Sequence, residues 1–338
     1  MPSARSLPAN HEAGAHGAPG TRREDPPGAR RHRHGLMHLL MLLGTLFWAS
    51  NIIAGKFALK AVSAPALAQF RVTAAGAAFL LTFILWRRRP RLDFGRREWC
   101  YLAVTALVGI TLNQIFFIGG IAKTSAAHAG LIVALGPVIV LVLSCGLRLE
   151  ALTALKTAGA AVSFAGVAVL TTGHPQAGSA ATLLGDMTLL VGSAVFAYYT
   201  ILLKKIADRY DALTLNTVIF TFGALFMAPY SARAVARVRW TALPAEAWWA
   251  MGFMVVCGSV LAYLIYAFAL TELTATRVAA FAYLQPVIAA GLGVWLLGET
   301  LTARVMAGGA AILLGVYLTE REGQGASFAS RAPVHRHR

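Results

Sequence analysis

Residues 112–167 occur twice in this chain. A shift of 149 positions lays Leu112–Val167 on Leu261–Val316 without a gap, and 17 of the 56 paired positions are identical. The special residues stay in register: Pro137 falls on Pro286, Glu150 on Glu299, Thr153 on Thr302, Gly159 on Gly308 and Gly166 on Gly315. Each copy reads as a proline inside an apolar run, then Glu-x-Leu-Thr-Ala, then small residues. Shared apolar composition does not place prolines, acids and glycines at matching positions, so the chain is two copies of one unit.

The medium this unit folds in follows from composition. Of 338 residues, 57% are hydrophobic and 13% charged, whereas ordinary soluble domains have about a quarter charged. Mean hydropathy is +0.64. So few charges cannot cover a soluble protein, and most of the surface must face lipid. Apolar runs of about 18 residues or more are candidate membrane-spanning helices. Ten such runs are found, at 35–57, 65–86, 98–121, 126–146, 154–172, 183–203, 213–230, 248–270, 275–297 and 302–319. The seventh is short and flanked by polar residues. The expected fold class is an all-α integral membrane protein with ten transmembrane helices, five in each copy. An odd number makes the second copy enter the membrane from the opposite side. The two copies then form inverted five-helix repeats, an architecture of many secondary transporters.

The expected organisation is a tail at 1–34, a first repeat at 35–172, a second at 183–319 and a C-terminal tail at 320–338. Residues 1–34 are rich in Pro, Gly, Ala, Arg and His without apolar periodicity, which reads as disordered. The apolar stretch that follows starts too late and runs too long for a cleavable signal peptide. A basic arm can bind nucleic acid, but the remaining charge favours topology. Arg87, Arg88, Arg89, Arg91, Arg96 and Arg97 follow the second run, and Lys204, Lys205 and Arg209 follow the sixth. An orientation with both termini cytoplasmic puts these groups inside, as the positive-inside rule requires. Arg233, Arg237 and Arg239 are exceptions, in a loop expected outside. The net charge of +16 is thus read as topology, with no nucleic-acid partner.

Several short motifs recur in order. The first half carries Phe47-Trp48-Ala49-Ser50-Asn51, Phe70-Arg71 and Thr124-Ser125-Ala126-Ala127-His128-Ala129, leading into Ala134-Leu135-Gly136-Pro137. The second carries Gly185-Asp186, Tyr198-Tyr199, Lys204-Lys205, Leu284-Gln285-Pro286 and Leu297-Gly298-Glu299. Over about residues 38–318 this resembles the EamA type of the drug/metabolite transporter superfamily. The resemblance implies ten helices, a central substrate cavity, and export or exchange of small metabolites across the cell (inner) membrane. It also implies a functional basic residue at Arg71. The first copy departs from the pattern, with Leu147-Arg148-Leu149-Glu150 where Gly-Glu is usual.

Polar and aromatic side chains deep in apolar runs mark the candidate substrate site: Trp48, Asn51, Arg71, Gln114, Tyr199, Tyr263, Tyr266, Tyr283 and Gln285. Amides and phenols can orient a polar metabolite while rings pack its apolar part. Such groups also bond neighbouring helices, or form an interfacial belt when near the ends. Pro137 and Pro286 each remove a backbone hydrogen bond and crowd the carbonyl four residues earlier, at Val133 and Ala282. As a matched pair they read as gating kinks that shape the cavity. Lys56 and Arg71 lie near the outer helix ends, where long side chains reach water, and His128 is either a proton sensor or a satisfied interhelical group. The 14 acidic residues fall at helix ends or in tails, so no deep carboxylate relay is visible. Thr153 and Thr302 read as N-caps, with Glu150 and Glu299 structural.

No HExxH, GxSxG or P-loop occurs, and Cys100, Cys145 and Cys257 stand singly without metal or disulfide spacing. An enzyme is not expected, nor a metal or cofactor. The expected function is a secondary transporter moving a small organic metabolite, amino acid-like or amphiphilic, by alternating access toward efflux. Its partners are the substrate and the lipid bilayer, with a homodimer as one option for assembly. The alternative is a membrane-embedded small-molecule binding or sensory protein without transport.

Overall fold

The computed structural model describes residues 27–85, 94–148, 153–171, 182–207, 209–265, 281 and 284–329, with side chains described within 36–319. Among these residues every regular element is helical. Eight helices are long and apolar enough to cross a membrane: 39–58, 64–85, 96–121, 126–146, 154–171, 183–206, 212–236 and 245–265. They coincide with the first eight apolar runs. Two shorter apolar helices, Leu284–Leu297 and Ala303–Thr319, lie within the ninth and tenth.

In chain order the elements are α1 (Pro27–Ala58), α2 (Ala64–Leu85), α3 (Arg96–Ala106), a π-helical segment (Leu107–Leu112) and α4 (Asn113–Ile121). Then come α5 (Ala126–Val133), α6 (Gly136–Gly146), α7 (Ala154–Thr171), α8 (Leu183–Ala207) and α9 (Ala212–Ala236). A 3₁₀ turn (Trp240–Ala242), α10 (Ala245–Val255), a second π-helical segment (Val256–Leu261), α11 (Leu284–Leu297) and α12 (Ala303–Ala329) follow.

The outer boundaries differ from those expected. Helix α1 begins at Pro27, ahead of residue 35, and α12 runs to Ala329, beyond 319. Proline at a first helical position loses no hydrogen bond, and a nucleated helix extends past its apolar part at little cost. The seventh run is a full helix of 25 residues rather than a short one. Polar residues within it turn inward: Asn216 and Thr217 are buried, and the Thr217 hydroxyl donates to the Leu213 carbonyl at 2.7 Å.

The duplication reaches into the backbone. Helix α3 (96–106) and α10 (245–255) start and stop 149 residues apart, as do the π segments at 107–112 and 256–261 and the starts of α7 and α12 at 154 and 303. Thr153 and Thr302 cap those last two helices, accepting from the N–H groups of Lys156 and Val305 at 3.3 Å each. Helices α7 and α12 pack through small residues. A Cβ on Gly159 would lie 2.7 Å from the Gly315 carbonyl oxygen, and one on Gly166 2.7 Å from that of Gly308. Between them, Ser163 donates to the Ile312 carbonyl at 3.3 Å. Numbers rise along one helix as they fall along the other, so the pair runs antiparallel.

The proline at 137 breaks its helix. Lacking an N–H, Pro137 cannot bond the Val133 carbonyl; α5 ends at Val133 and α6 restarts at Gly136, with Pro137 in its first two positions. Pro286 lies buried in the first turn of α11 and packs its Cα toward Gly130 of α5. Ala282, whose carbonyl it was expected to crowd, lies outside the described residues.

Candidate functional site

The site is centred on Arg71, two turns into α2 and 5% exposed. Its Nε donates to Ser259 Oγ at 3.0 Å and its Nη1 to Gln114 Oε1 at 3.2 Å. The guanidinium also lies 5.9 Å from the centroid of the Phe117 ring. Gln114 Nε2 donates to Asn113 Oδ1 at 3.2 Å, and Asn113 Nδ2 to the Gly192 carbonyl at 3.1 Å. One connected network therefore joins α2 and α4 of the first copy to α8 and the second π segment of the second copy.

Every partner in this network is neutral. Among the described residues Arg71 has no carboxylate partner. A buried cation held only by dipoles and a ring is costly, and it favours any anionic group that reaches it. Arg71 was expected as a functional basic residue near an outer helix end, where a long side chain could also reach water. It instead turns inward, because Gln114 and Ser259 supply acceptors that lipid cannot.

Two sockets flank the network at equivalent places. Gly109 in the first π segment has no room for a Cβ because the Tyr199 ring occupies that space; Gly258, 149 residues on, is occupied in the same way by Asn51. Asn51 and Tyr199 sit on α1 and α8, 3% and 2% exposed. Asn51 Oδ1 has no hydrogen-bond partner among the described residues. A π turn widens the helix by one residue and re-aims side chains, and such turns are frequent at functional sites. Here they set Ser259 and, just beyond the first segment, Asn113 and Gln114 toward the centre.

Aromatic groups continue the wall. Trp48 meets Tyr263 edge to face, with centroids 6.0 Å apart, and Tyr263 meets Phe220 at 5.8 Å. Of the residues expected to bind substrate, Arg71 and Gln114 are thus in direct contact and Trp48 and Tyr263 form a pair. Asn51 and Tyr199 occupy the two sockets. Gln285 is half-buried on α11, which packs on α1 and α5. Tyr266 and Tyr283 lie outside the described residues. Ser259 was missed: a serine in an apolar helix usually bonds its own backbone, and this one does donate to the Met254 carbonyl at 3.1 Å. Its second role appears only once Arg71 is beside it. At the end of the bundle where α1 meets α2, a cavity of about 630 Å³ is lined by Ser63, Pro65, Arg237 and Arg239.

Comparison with known proteins places this arrangement. The model of the EamA-like transporter family matches residues 35–172 and again 183–321. A protein of Archaeoglobus fulgidus named only as an uncharacterized transporter is 32% identical over 283 residues, spanning 83% of this chain and 96% of its own length. The probable terminal-alkyne amino-acid exporter of Streptantibioticus cattleyicolor is 25% identical, over 88% of this chain and 97% of the exporter. The inner membrane transporter YedA of Escherichia coli K12 is 27% identical, over 78% and 85%. A solved crystal structure shares the fold with a TM-score of 0.61 at 18% identity, covering 86% of this chain and 99% of that one. With a buried basic centre between two copies of one helical unit, and the family model matching both copies, the chain is a multi-pass membrane protein of the EamA-like transporter family.

Proposed function

We propose that this transporter exports a small organic metabolite bearing a carboxylate, amino acid-like in character, by alternating access between two inverted five-helix repeats. The observation that carries the reading is Arg71, a buried guanidinium bonded, among the described residues, only to neutral groups. A substrate carboxylate would replace the Gln114 and Ser259 oxygens and add the attraction of opposite charges, in a bidentate geometry the guanidinium fork matches. Trp48, Tyr263 and Tyr199 would pack the apolar part, Asn51 Oδ1 would accept from an amino group, and Gln285 would complete the wall. The name of the Streptantibioticus relative supports an amino-acid-like substrate and outward transport.

The inverted relation is supported by the contacts of α7 with α12. Gly159 meets the counterpart of Gly166, and Gly166 meets the counterpart of Gly159, which is the reciprocal pairing a two-fold axis produces. Such an axis lies in the membrane plane in inverted-repeat transporters. On this reading ten helices cross the membrane and both termini are cytoplasmic.

Flux of radiolabelled amino acids, sugars and amphiphilic amines in proteoliposomes tests the proposal. The amino acids are expected to move and to compete for one site. Arg71→Met should weaken apparent substrate affinity by on the order of 2–4 kcal/mol, with Arg71→Lys intermediate because a point charge lacks the planar fork. Gln114→Leu, monodisperse in detergent, should also reduce transport. Flux of amines alone, or unchanged amino-acid affinity in Arg71→Met, would exclude the carboxylate reading.

A further inference from the structure

We infer that Lys56, Thr124, His128, Asp186 and Glu299 form a latch closing one end of the bundle, and that this end opens to substrate only when the latch separates. The inference rests on the alternating access proposed above. Lys56 of α1 donates to the Thr124 carbonyl at 2.5 Å and lies 3.8 Å from Glu299, the two side chains being 14% and 12% exposed. Glu299, between α11 and α12, accepts from the Ala126 N–H at 2.7 and 2.9 Å and from the Ala127 N–H at 3.2 Å. Those groups open α5, where the helix dipole favours a negative charge. Beside them Asp186 of α8, 1% exposed, takes the Thr124 hydroxyl and His128 Nδ1, the latter at 2.8 Å.

Thr124 is therefore clamped twice, by its carbonyl to Lys56 and by its hydroxyl to Asp186. Lys56, Thr124 and His128 belong to the first copy, and Asp186 and Glu299 to the second. The Lys56–Glu299 ion pair and the His128–Asp186 hydrogen bond both cross between copies, so separating the copies at this end must break both. Charges that are buried and saturated with hydrogen bonds hold in one geometry and are costly once parted, which makes the cluster two-state rather than elastic.

The opposite end differs. A shift of 148 residues lays α1 on α8, with Gly44 on Gly192 and Asn51 on Tyr199, and it puts Lys204 at the place of Lys56. Lys204 is exposed and has no ion pair among the described residues. The cross-copy pair found at that end, Arg209 with Glu98 at 3.3 Å, leaves Arg209 69% exposed, and exposed pairs contribute little. Among the described residues, equivalent positions of the duplicated unit are thus paired and buried at one end and exposed at the other.

Ala129 on α5 is fully buried, one turn below the latch. A cysteine there, in the full-length chain with Cys100, Cys145 and Cys257 replaced, reports opening through labelling by a membrane-impermeant thiol reagent in proteoliposomes. Lys56→Gln and Glu299→Gln should each speed labelling about tenfold, equivalent to ~1.4 kcal/mol in the gate equilibrium, while Arg209→Gln should not. In a chain carrying Ala129, cysteines at positions 56 and 299, once bridged by a bis-methanethiosulfonate crosslinker that thiols reverse, should stop flux reversibly. Parent-like labelling in both glutamine variants, or full flux through the crosslinked pair, overturns the latch. An unmodified protein that moves no substrate would instead defeat the transport reading, and the labelling would still decide the latch.

Discussion

Arg71 and Arg148 show how one residue type meets opposite constraints. Arg71 is drawn inward because dipoles and a ring receive its charge. Arg148 ends α6 with φ +57°, a left-handed conformation that crowds Cβ against the following carbonyl. In the second copy the chain turns after α11 with φ +66° at Gly298, where no Cβ resists. The first copy lacks that glycine, so its turn is made one position earlier by a residue unsuited to it. Arg148→Gly is expected to stabilise the protein by about 0.5–1 kcal/mol, the relieved strain exceeding the entropy a glycine adds to the unfolded chain. Thermal unfolding in detergent measures this, and a lower midpoint would show that Arg148 contributes a contact outweighing its strain.

Among the elements, the paired interruptions matter most. Pro137 splits a membrane-length helix into α5 and α6, while the π segments at 107–112 and 256–261 widen two others at matching points. Pro137→Ala restores an N–H for the Val133 carbonyl and removes a local cost of up to about 3 kcal/mol. Stability should therefore hold or rise while transport falls. If the prolines shape gates, Pro137→Ala and Pro286→Ala should shift labelling of a cysteine at position 114 in opposite directions, measured from each side of the membrane. Normal flux in both variants, or a shift of the same sign, would reduce the prolines to packing features.

For the whole molecule the decisive question is orientation. Basic residues concentrate in the tails and in loops that one orientation places together, and the latch at Lys56 and Glu299 would then close the outer face. Reporter fusions at Arg338 and within residues 87–97 should both report the cytoplasm. A signal from the far side at either position would invert the carrier and move the latch to the inner face. The +16 charge then needs no partner, since the membrane potential and lipid headgroups act on it.

Family membership, eight of the spans and the helix caps were legible in the chain because they depend on local properties. Hydropathy needs only a run of neighbours, Thr153 and Thr302 cap helices three residues ahead, and the duplication is a comparison of the chain with itself. Arg71, Gln114, Trp48 and Tyr263 stood out as candidates because a polar or aromatic group in lipid must have a reason to be there, and the fold sets Arg71 against Gln114 and Trp48 against Tyr263. What the chain could not disclose were the partners. Ser259, 188 positions along the chain, becomes an acceptor for Arg71 only once the fold brings them together, and Glu299, read as structural, caps a helix 173 positions earlier. The π segments carry no local signature; they coincide with the places where Tyr199 and Asn51 press against Gly109 and Gly258. Propensity and periodicity act over one or two helical turns, whereas a buried charge is satisfied by whatever the tertiary fold brings within about 3 Å.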